Sequence, residues 1–300
     1  MSYHKPVLLH QCVSQLQLQA NGTYVDATFG GGGHSRLILE QLEGGKLFGF
    51  DHDPDARANA LPDDRFTLIP ANFRYLKKML RLHGINQIDG LLADFGVSSH
   101  QLDAPEKGFS LRFEAELDMR MNPEKELSAQ TVVNDYSAAQ LAKVLKDYGE
   151  FKRPQHLANQ IIAERPISTT QALKAALEKV APRQKVHQFW ARLFQAIRIE
   201  VNEEITVIKE LLEQATQVLQ PGGRMVCLSY HSLEDRPVKN FFKYGNFEGE
   251  PQKDFYGNLI RPLEPVNRKP IEASAEEVAQ NPRARSGKLR VAQKLNPQHD

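Results

Sequence analysis

Residues 24–34 read Tyr24-Val25-Asp26-Ala27-Thr28-Phe29-Gly30-Gly31-Gly32-Gly33-His34, and this stretch decides the fold. Tyr24 to Thr28 reads as a strand. Four glycines follow, and Ser35 to Leu42 then carries apolar residues at helical spacing before Gly44-Gly45. Glycine allows a sharp turn from strand to helix and a close approach of backbone to ligand. The free N–H groups of the next helix's first turn favour an anionic or polar ligand group.

Outward from this turn the pattern repeats. Lys46 to Asp51, Phe66 to Ile69 and Ile88 to Asp94 are near-continuous apolar runs, as a parallel sheet covered on both faces requires. Strands alternating with helices over short connections predict a doubly wound α/β sheet. Asp51 closes the second strand about twenty residues beyond the glycines, where a carboxylate can accept both ribose hydroxyls of a nucleoside cofactor. Asp94 closes the fourth strand. Ligands of such sheets bind beyond the carboxyl ends of the strands, so Asp94 is expected at the same crevice as Gly32 and Asp51. Asp94-Phe95-Gly96 does not make a kinase, because no V-A-I-K strand or H-R-D loop precedes it.

From about Asp103 to about Ile199 the strand pattern stops. Ser137 to Gln140 is a capping box before Leu141, Val144, Leu145 and Tyr148; Ser168 to Gln171 is another before Leu173, Ala176, Leu177 and Val180. Trp190, Phe194, Ile197 and Val201 form a third apolar stripe. An inserted all-helical subdomain over 104–199 is expected, with the sheet domain formed by 1–103 and 200–300. Glu203 to Leu219 reads as a helix stopped by Pro221-Gly222-Gly223, and Arg224 to Tyr230 as a fifth strand. Short strands are expected near Lys269–Ala273 and Leu289–Lys294, with a helix capped by Ser274 and Glu277 between them. Lys243 to Pro265 reads as a long surface loop.

Composition narrows the function classes. The 300 residues carry 38 Lys plus Arg against 37 Asp plus Glu, a net charge of +1. That excludes coating bare nucleic acid by charge alone, but not a local basic patch. Cys12 and Cys227 stand alone, without a CxxC, and are expected to be buried thiols in a reducing compartment. Met1 to Ala20 holds only the short apolar run Val7-Leu8-Leu9, so neither a signal peptide nor a membrane span is expected and a cytoplasmic location follows. No Cys/His cluster has metal-ligand spacing, and no metal is expected to take part in the chemistry.

The cofactor class follows from two features. The G-x-G-x-x-G fingerprint of dinucleotide sites is not met, because Ser35 stands where the third glycine would fall. The unit of helix, Pro-Gly-Gly and strand at Leu219 to Leu228, with a short terminal strand pair, is a common methyltransferase layout. Both favour S-adenosylmethionine.

Longer stretches carry a specific resemblance. They are His4-Lys5-Pro6-Val7-Leu8-Leu9, Tyr24 to Arg36, LADFGVSSHQL at Leu92 to Leu102, Gly108-Phe109-Ser110, LDMRM at Leu117 to Met121, FQAIRI at Phe194 to Ile199, Leu219 to Arg224, SYHSLEDR at Ser229 to Arg236 and NPRARSGKLRVA at Asn281 to Ala292. In these the chain resembles the small-subunit ribosomal RNA cytosine-N4 methyltransferases, the RsmH or MraW family. The resemblance implies a class I (Rossmann-like) methyltransferase fold with an inserted helical domain. It implies methyl transfer from S-adenosylmethionine to the exocyclic N4 amine of one cytosine, at position 1402 of the small-subunit RNA. By motif it places cofactor contacts at Gly32, Gly33, His34, Asp51, Phe73, Asp94 and Gln101. Many members carry G-E-E-R-F-A where this chain has Gly149-Glu150-Phe151-Lys152-Arg153-Pro154.

Methylation of an amine at pH 7 needs an acceptor for the N–H as positive charge grows on nitrogen. Asp94, or a carbonyl of Phe95-Gly96-Val97, is expected to supply it. His4 and His231 are candidates to line the cytosine pocket, as imidazoles that accept a proton or bind the base edge. Ser229, Ser232 and Asp235 are further polar groups near the fifth strand's end. Arg112, Arg120, Arg192 and Arg198 of the insert, and Arg283, Arg285, Lys288, Arg290 and Lys294 of the tail, are candidate RNA contacts. The near-neutral charge suits a partner recognised as a shaped particle, the assembled small (30S) subunit, better than free RNA. Rival readings are a methyltransferase of another amine, on DNA or protein, a non-catalytic assembly factor that keeps the fold, and, more remotely, a dinucleotide dehydrogenase.

Overall fold

A computed structural model describes residues 6–98, 107–110 and 114–296. It divides into two compact units, residues 1–96 with 205–300, and residues 97–204.

The first unit holds a seven-stranded sheet in the order β3-β2-β1-β4-β5-β7-β6. The strands are β1 (Thr23–Asp26), β2 (Lys46–Phe50), β3 (Phe66–Ile69), β4 (Ile88–Asp94), β5 (Leu219–Ser229), β6 (Leu263–Pro265) and β7 (Lys288–Lys294). The first five run parallel, and β7 is antiparallel to both of its neighbours. This is the class I methyltransferase sheet. β2 lies on one side of β1 and β4 on the other, so the crossovers diverge at β1 and open a crevice beyond its carboxyl end.

Side chains alternate across each strand, and the two faces bury different sets. Val25, Phe48, Phe50, Leu91, Ala93, Met225 and Cys227 face one core, where Leu76 and Leu80 of α3 (Leu76–Leu82) are buried. Ile208, Leu211, Leu212, Ala215 and Val218 enter the same core at helical spacing. Tyr24, Leu47, Leu92, Val226 and Leu228 face the other, against Cys12, Val13 and Leu16 of α1 (Leu9–Leu16) and Ile38 and Leu39 of α2 (Gly33–Gln41). Both cysteines are free and buried. Burial pushes both thiols above their usual range, which makes them inert packing groups.

The second unit packs α4 (Ala129–Asp135), α5 (Ala138–Asp147), α6 (Pro154–Ala163), α7 (Thr170–Leu177) and α8 (Val186–Asn202) around its own core of Leu141, Leu145, Leu157, Ile161, Leu173 and Leu193. Ser137 and Gln140 form a capping box on α5. For α7 the cap is Thr169, which accepts the Ala172 N–H, one residue later than the box read at Ser168. Phe151, in the stretch where this chain departs from many family members, meets Phe189 edge-on at 5.3 Å and lies beneath the Arg192 guanidinium.

Three sequence readings are corrected. The helix α9 (Glu204–Val218) ends at Val218 and β5 begins at once, instead of at Arg224. Ile88 lies beside Leu219 but Gly90 lies beside Arg224, so the Pro221-Gly222-Gly223 stop is a bulge within the strand, with Gly222 at φ +83°. The stretch read as a loop holds β6. Lys269–Ala273 forms no strand beyond the single bridge of Ile271 to Leu289. The Asn267 side chain accepts the Val291 N–H, the ladder position that Lys269 would need to extend that bridge.

Candidate active site

The parallel strands end on one edge, and hydrogen bonds tie their tips together. At the tip of β1, buried Asp26 accepts the Thr28 N–H and the Ser35 hydroxyl at 2.7 Å, which fixes the entry into α2. Gly30 and Gly32 turn the chain in the left-handed region, at φ +51° and +72°, and Gly32 precedes the first residue of α2. A side chain at Gly32 would meet the Phe29 ring at 3.0 Å. The first-turn N–H groups, Gly33 to Ser35, have no acceptor within the helix.

Asp51, just past β2, bridges two loops. Its Oδ2 accepts the Gly30 N–H at 2.8 Å and its Oδ1 the Asp53 N–H at 2.8 Å. An ionised carboxylate offers about four acceptor positions, so both oxygens keep capacity for a ligand. Burial pushes Asp51 up to about 6, against the pull of those two N–H bonds.

Asp94 ends β4. Its N–H donates to Thr28 Oγ1 at 2.7 Å, and Tyr230, one residue past β5, donates its hydroxyl to Asp94 Oδ1 at 2.8 Å. Burial pushes Asp94 up to about 7; the tyrosine bond opposes this, and the charges of Asp26 and Glu234 add to it. The Tyr230 N–H in turn donates to Glu234 Oε2 at 2.8 Å. Glu234 is wholly buried, and His231 Nε2 lies 3.0 Å from its Oε1 without the alignment of a hydrogen bond. His231 directly precedes α10 (Ser232–Tyr244).

Gly32, Gly33, Asp51 and Asp94 thus surround one edge of the sheet. His34 brings its backbone N–H to that edge, but its ring is buried, and burial lowers its pKa against the pull of Asp26. Phe73 follows β3, half-buried, its ring centre 6.2 Å from that of Phe95. His4, Gln101 and Arg112 lie outside the described residues.

Several expected contacts have other work. Asp235 is locked to buried Arg290 by two bonds of 2.6 and 3.0 Å, and Ser229 donates to the Lys288 carbonyl. Arg120 is bound by Asp118 and by the carbonyls of Pro123 and Lys125. Arg192 holds the carbonyls of Gly149 and Glu150, and Arg198 grips Glu204 with two bonds. Lys294 donates to the Thr216 carbonyl. These cations clamp the fold instead of standing free for phosphate. Conversely, Thr28, Tyr230 and Glu234 belong to the tip network although the sequence singled out none of them; the polar run after an apolar strand at Ser229–Arg236 was the available signal.

Among the described residues no helix is long and apolar enough to cross a membrane. The model of the MraW methylase family matches residues 1–295. A Flavobacterium johnsoniae protein named ribosomal RNA small subunit methyltransferase H is 55% identical over 299 residues, covering 98% of this chain and 99% of its own. Proteins of the same name from Christiangramia forsetii and Cytophaga hutchinsonii are each 52% identical, covering 98% and 97% of this chain and 99% of their own.

Proposed function

The chain belongs to the MraW methylase family, and on that premise we propose that it transfers a methyl group from S-adenosylmethionine to the exocyclic N4 amine of a cytosine in small-subunit ribosomal RNA. The observation that carries this reading is the placement of two half-buried carboxylates, Asp51 and Asp94, on either side of the glycine turn at one sheet edge.

The residues present suit that cofactor. Asp51 keeps acceptor positions for two ribose hydroxyls. The N–H groups of Gly33 and His34, behind the Gly32 turn, suit the amino-acid carboxylate. Phe73 offers a ring face to adenine. Gln101 is assigned to the same site by its motif. When bound, S-adenosylmethionine supplies a methyl group already activated on a sulfonium.

The chain must then align the amine and stabilise its developing charge. Alignment alone contributes about 7–11 kcal/mol in well-oriented systems. The N4 lone pair is delocalised into the cytosine ring, so positive charge grows on nitrogen as its new bond forms. Tyr230 occupies Asp94 Oδ1 and fixes the carboxylate plane; Oδ2 is assigned to the N4–H. With a pKa of about 7, Asp94 is poised both to accept that hydrogen bond and to take the proton. His231 and His4 are assigned to the edge of the base. A base read this way must be splayed from its stack, and the net charge of +1 favours an assembled small subunit over free RNA as substrate.

The test is nucleoside mass spectrometry of small-subunit RNA from cells lacking the protein, paired with tritium transfer onto small subunits, free RNA and duplex DNA. Loss of an N4-methylcytosine mark and transfer to small subunits are expected. An intact mark, or transfer to duplex DNA alone, would overturn the assignment.

A further inference from the structure

Residues 252–260 form a small hairpin that carries two large aromatic rings into solvent. Lys253 bridges Leu259, the Asp254 N–H donates to the Asn258 carbonyl, and the Ile260 N–H donates to the Gln252 carbonyl. The Asp254 carboxylate accepts the N–H groups of Tyr256 and Asn258 and the Asn258 side-chain amide, and Gly257 closes the turn at φ +87°. The tip is therefore built, not loose. It holds Phe255 98% exposed and Tyr256 86% exposed, ring centres 5.7 Å apart and nearly perpendicular. Rings this exposed add nothing to the core and cost solvation.

A second feature lies at the hairpin's base. Pro262 accepts the Leu295 N–H, and beside it a hollow of about 400 Å³ is lined by Gly222, Arg224, Glu264, Gln293 and Lys294 among others. Arg224 Nε is buried there without a hydrogen-bond partner. Arg224 Nη1 donates to the Gln15 carbonyl, and burial lowers the pKa of the guanidinium, so this cation gains from an anion brought alongside. The acid on the rim, Glu264, is engaged by Arg261.

We propose that the Phe255–Tyr256 tip, with Arg224 in the hollow at its base, anchors an unpaired nucleotide and its phosphate in the RNA substrate, remote from the reacting base. Every base has a face that stacks on an aromatic ring, and the phosphate supplies the charge the hollow lacks. The 13 residues of α10, about 20 Å of helix, lead from the strand tips to this end of the sheet. The anchor thus fits a large folded RNA and is out of reach of a short oligonucleotide held at the active site. The proposal rests on the reading of the protein as an RNA methyltransferase.

The experiment is the double variant Phe255→Ala/Tyr256→Ala, assayed for methyl transfer to small subunits and for direct binding to them on filters. The expected result is a KM and a dissociation constant raised about tenfold or more, with kcat, melting temperature and calorimetric cofactor affinity unchanged. Phe255→Trp/Tyr256→Trp should keep wild-type KM, and Arg224→Gln should reduce the salt dependence of binding by about one phosphate contact. Unchanged KM and filter binding in the alanine variant overturn the proposal, as does a dimer that becomes a monomer while RNA affinity stays the same. If the wild-type chain transfers no methyl group, the functional reading fails, and the filter binding still decides the anchor.

Discussion

Tyr230 holds Asp94 by a single 2.8 Å hydrogen bond across the tips of neighbouring strands. This bond stabilises the ionised carboxylate in a place where burial disfavours it, and it fixes which oxygen faces the substrate.

Removing the phenol should therefore move the pH profile. In Tyr230→Phe the carboxylate loses its donor and its pKa climbs beyond about 7. Turnover that depends on ionised Asp94 rises with pH through that pKa, so the acidic limb of kcat should shift to higher pH, with the plateau partly recovered in alkaline buffer. A profile that overlays the wild type would remove Asp94 ionisation from the rate.

Asp94→Asn should separate catalysis from stability. Turnover is expected to fall on the order of 10²–10³-fold, the usual cost of one preorganised electrostatic group, with cofactor affinity changed less. If turnover survives and only cofactor affinity drops, Asp94 merely binds. The same variant should melt higher than wild type at pH 8. Asp94 has a pKa of about 7 in the fold against an ordinary 3.8. Between those values the folded chain binds a proton the unfolded chain has lost, so this group's contribution to stability falls as pH rises from about 4 to 7. The penalty approaches ~4 kcal/mol at most, and the melting difference should shrink as pH drops towards 4.

Gly32→Ala tests the turn. At φ +72°, with the Phe29 ring 3.0 Å from a new Cβ, the substitution costs about 1–2 kcal/mol of backbone strain and tilts the first turn of α2. Cofactor affinity measured by calorimetry should drop together with melting temperature. A variant that binds normally would take the α2 terminus out of the site.

Arg290→Gln tests whether the basic tail is structural. Its guanidinium and the Asp235 carboxylate are both nearly inaccessible and doubly bonded. Leaving Asp235 buried and unpaired should cost about 3–5 kcal/mol. The salt dependence of RNA binding, measured on the folded fraction, should not change; a slope reduced by one contact would return Arg290 to the phosphate-binding set.

The sheet and the glycine turn were legible in the sequence because both follow local rules. Strand periodicity, Gly30 to Gly33, and acids at strand ends need no tertiary knowledge, and Asp51 and Asp94 were found that way. Tyr230 and Glu234 were not, because their roles exist only once β5 lies beside β4. The same limit hid the uses of the arginines. Arg198 and Arg290 read as RNA contacts until the fold supplied Glu204 and Asp235. The bulge in β5 was hidden for a related reason: Pro221-Gly222-Gly223 is a stop signal by local rules, and only pairing with β4 carries the strand through it. β6 escaped notice because three residues ending in proline carry no period.

Cofactor titration of Asp51→Ala against wild type tests the site most directly. Wild type should bind S-adenosylmethionine at one site, and the variant, folded by circular dichroism, should bind at least tenfold more weakly, because two ribose hydroxyls lose a half-buried acceptor. Equal affinity in the two proteins would show that the nucleoside lies elsewhere and that the joined strand tips are not the methyl-transfer site.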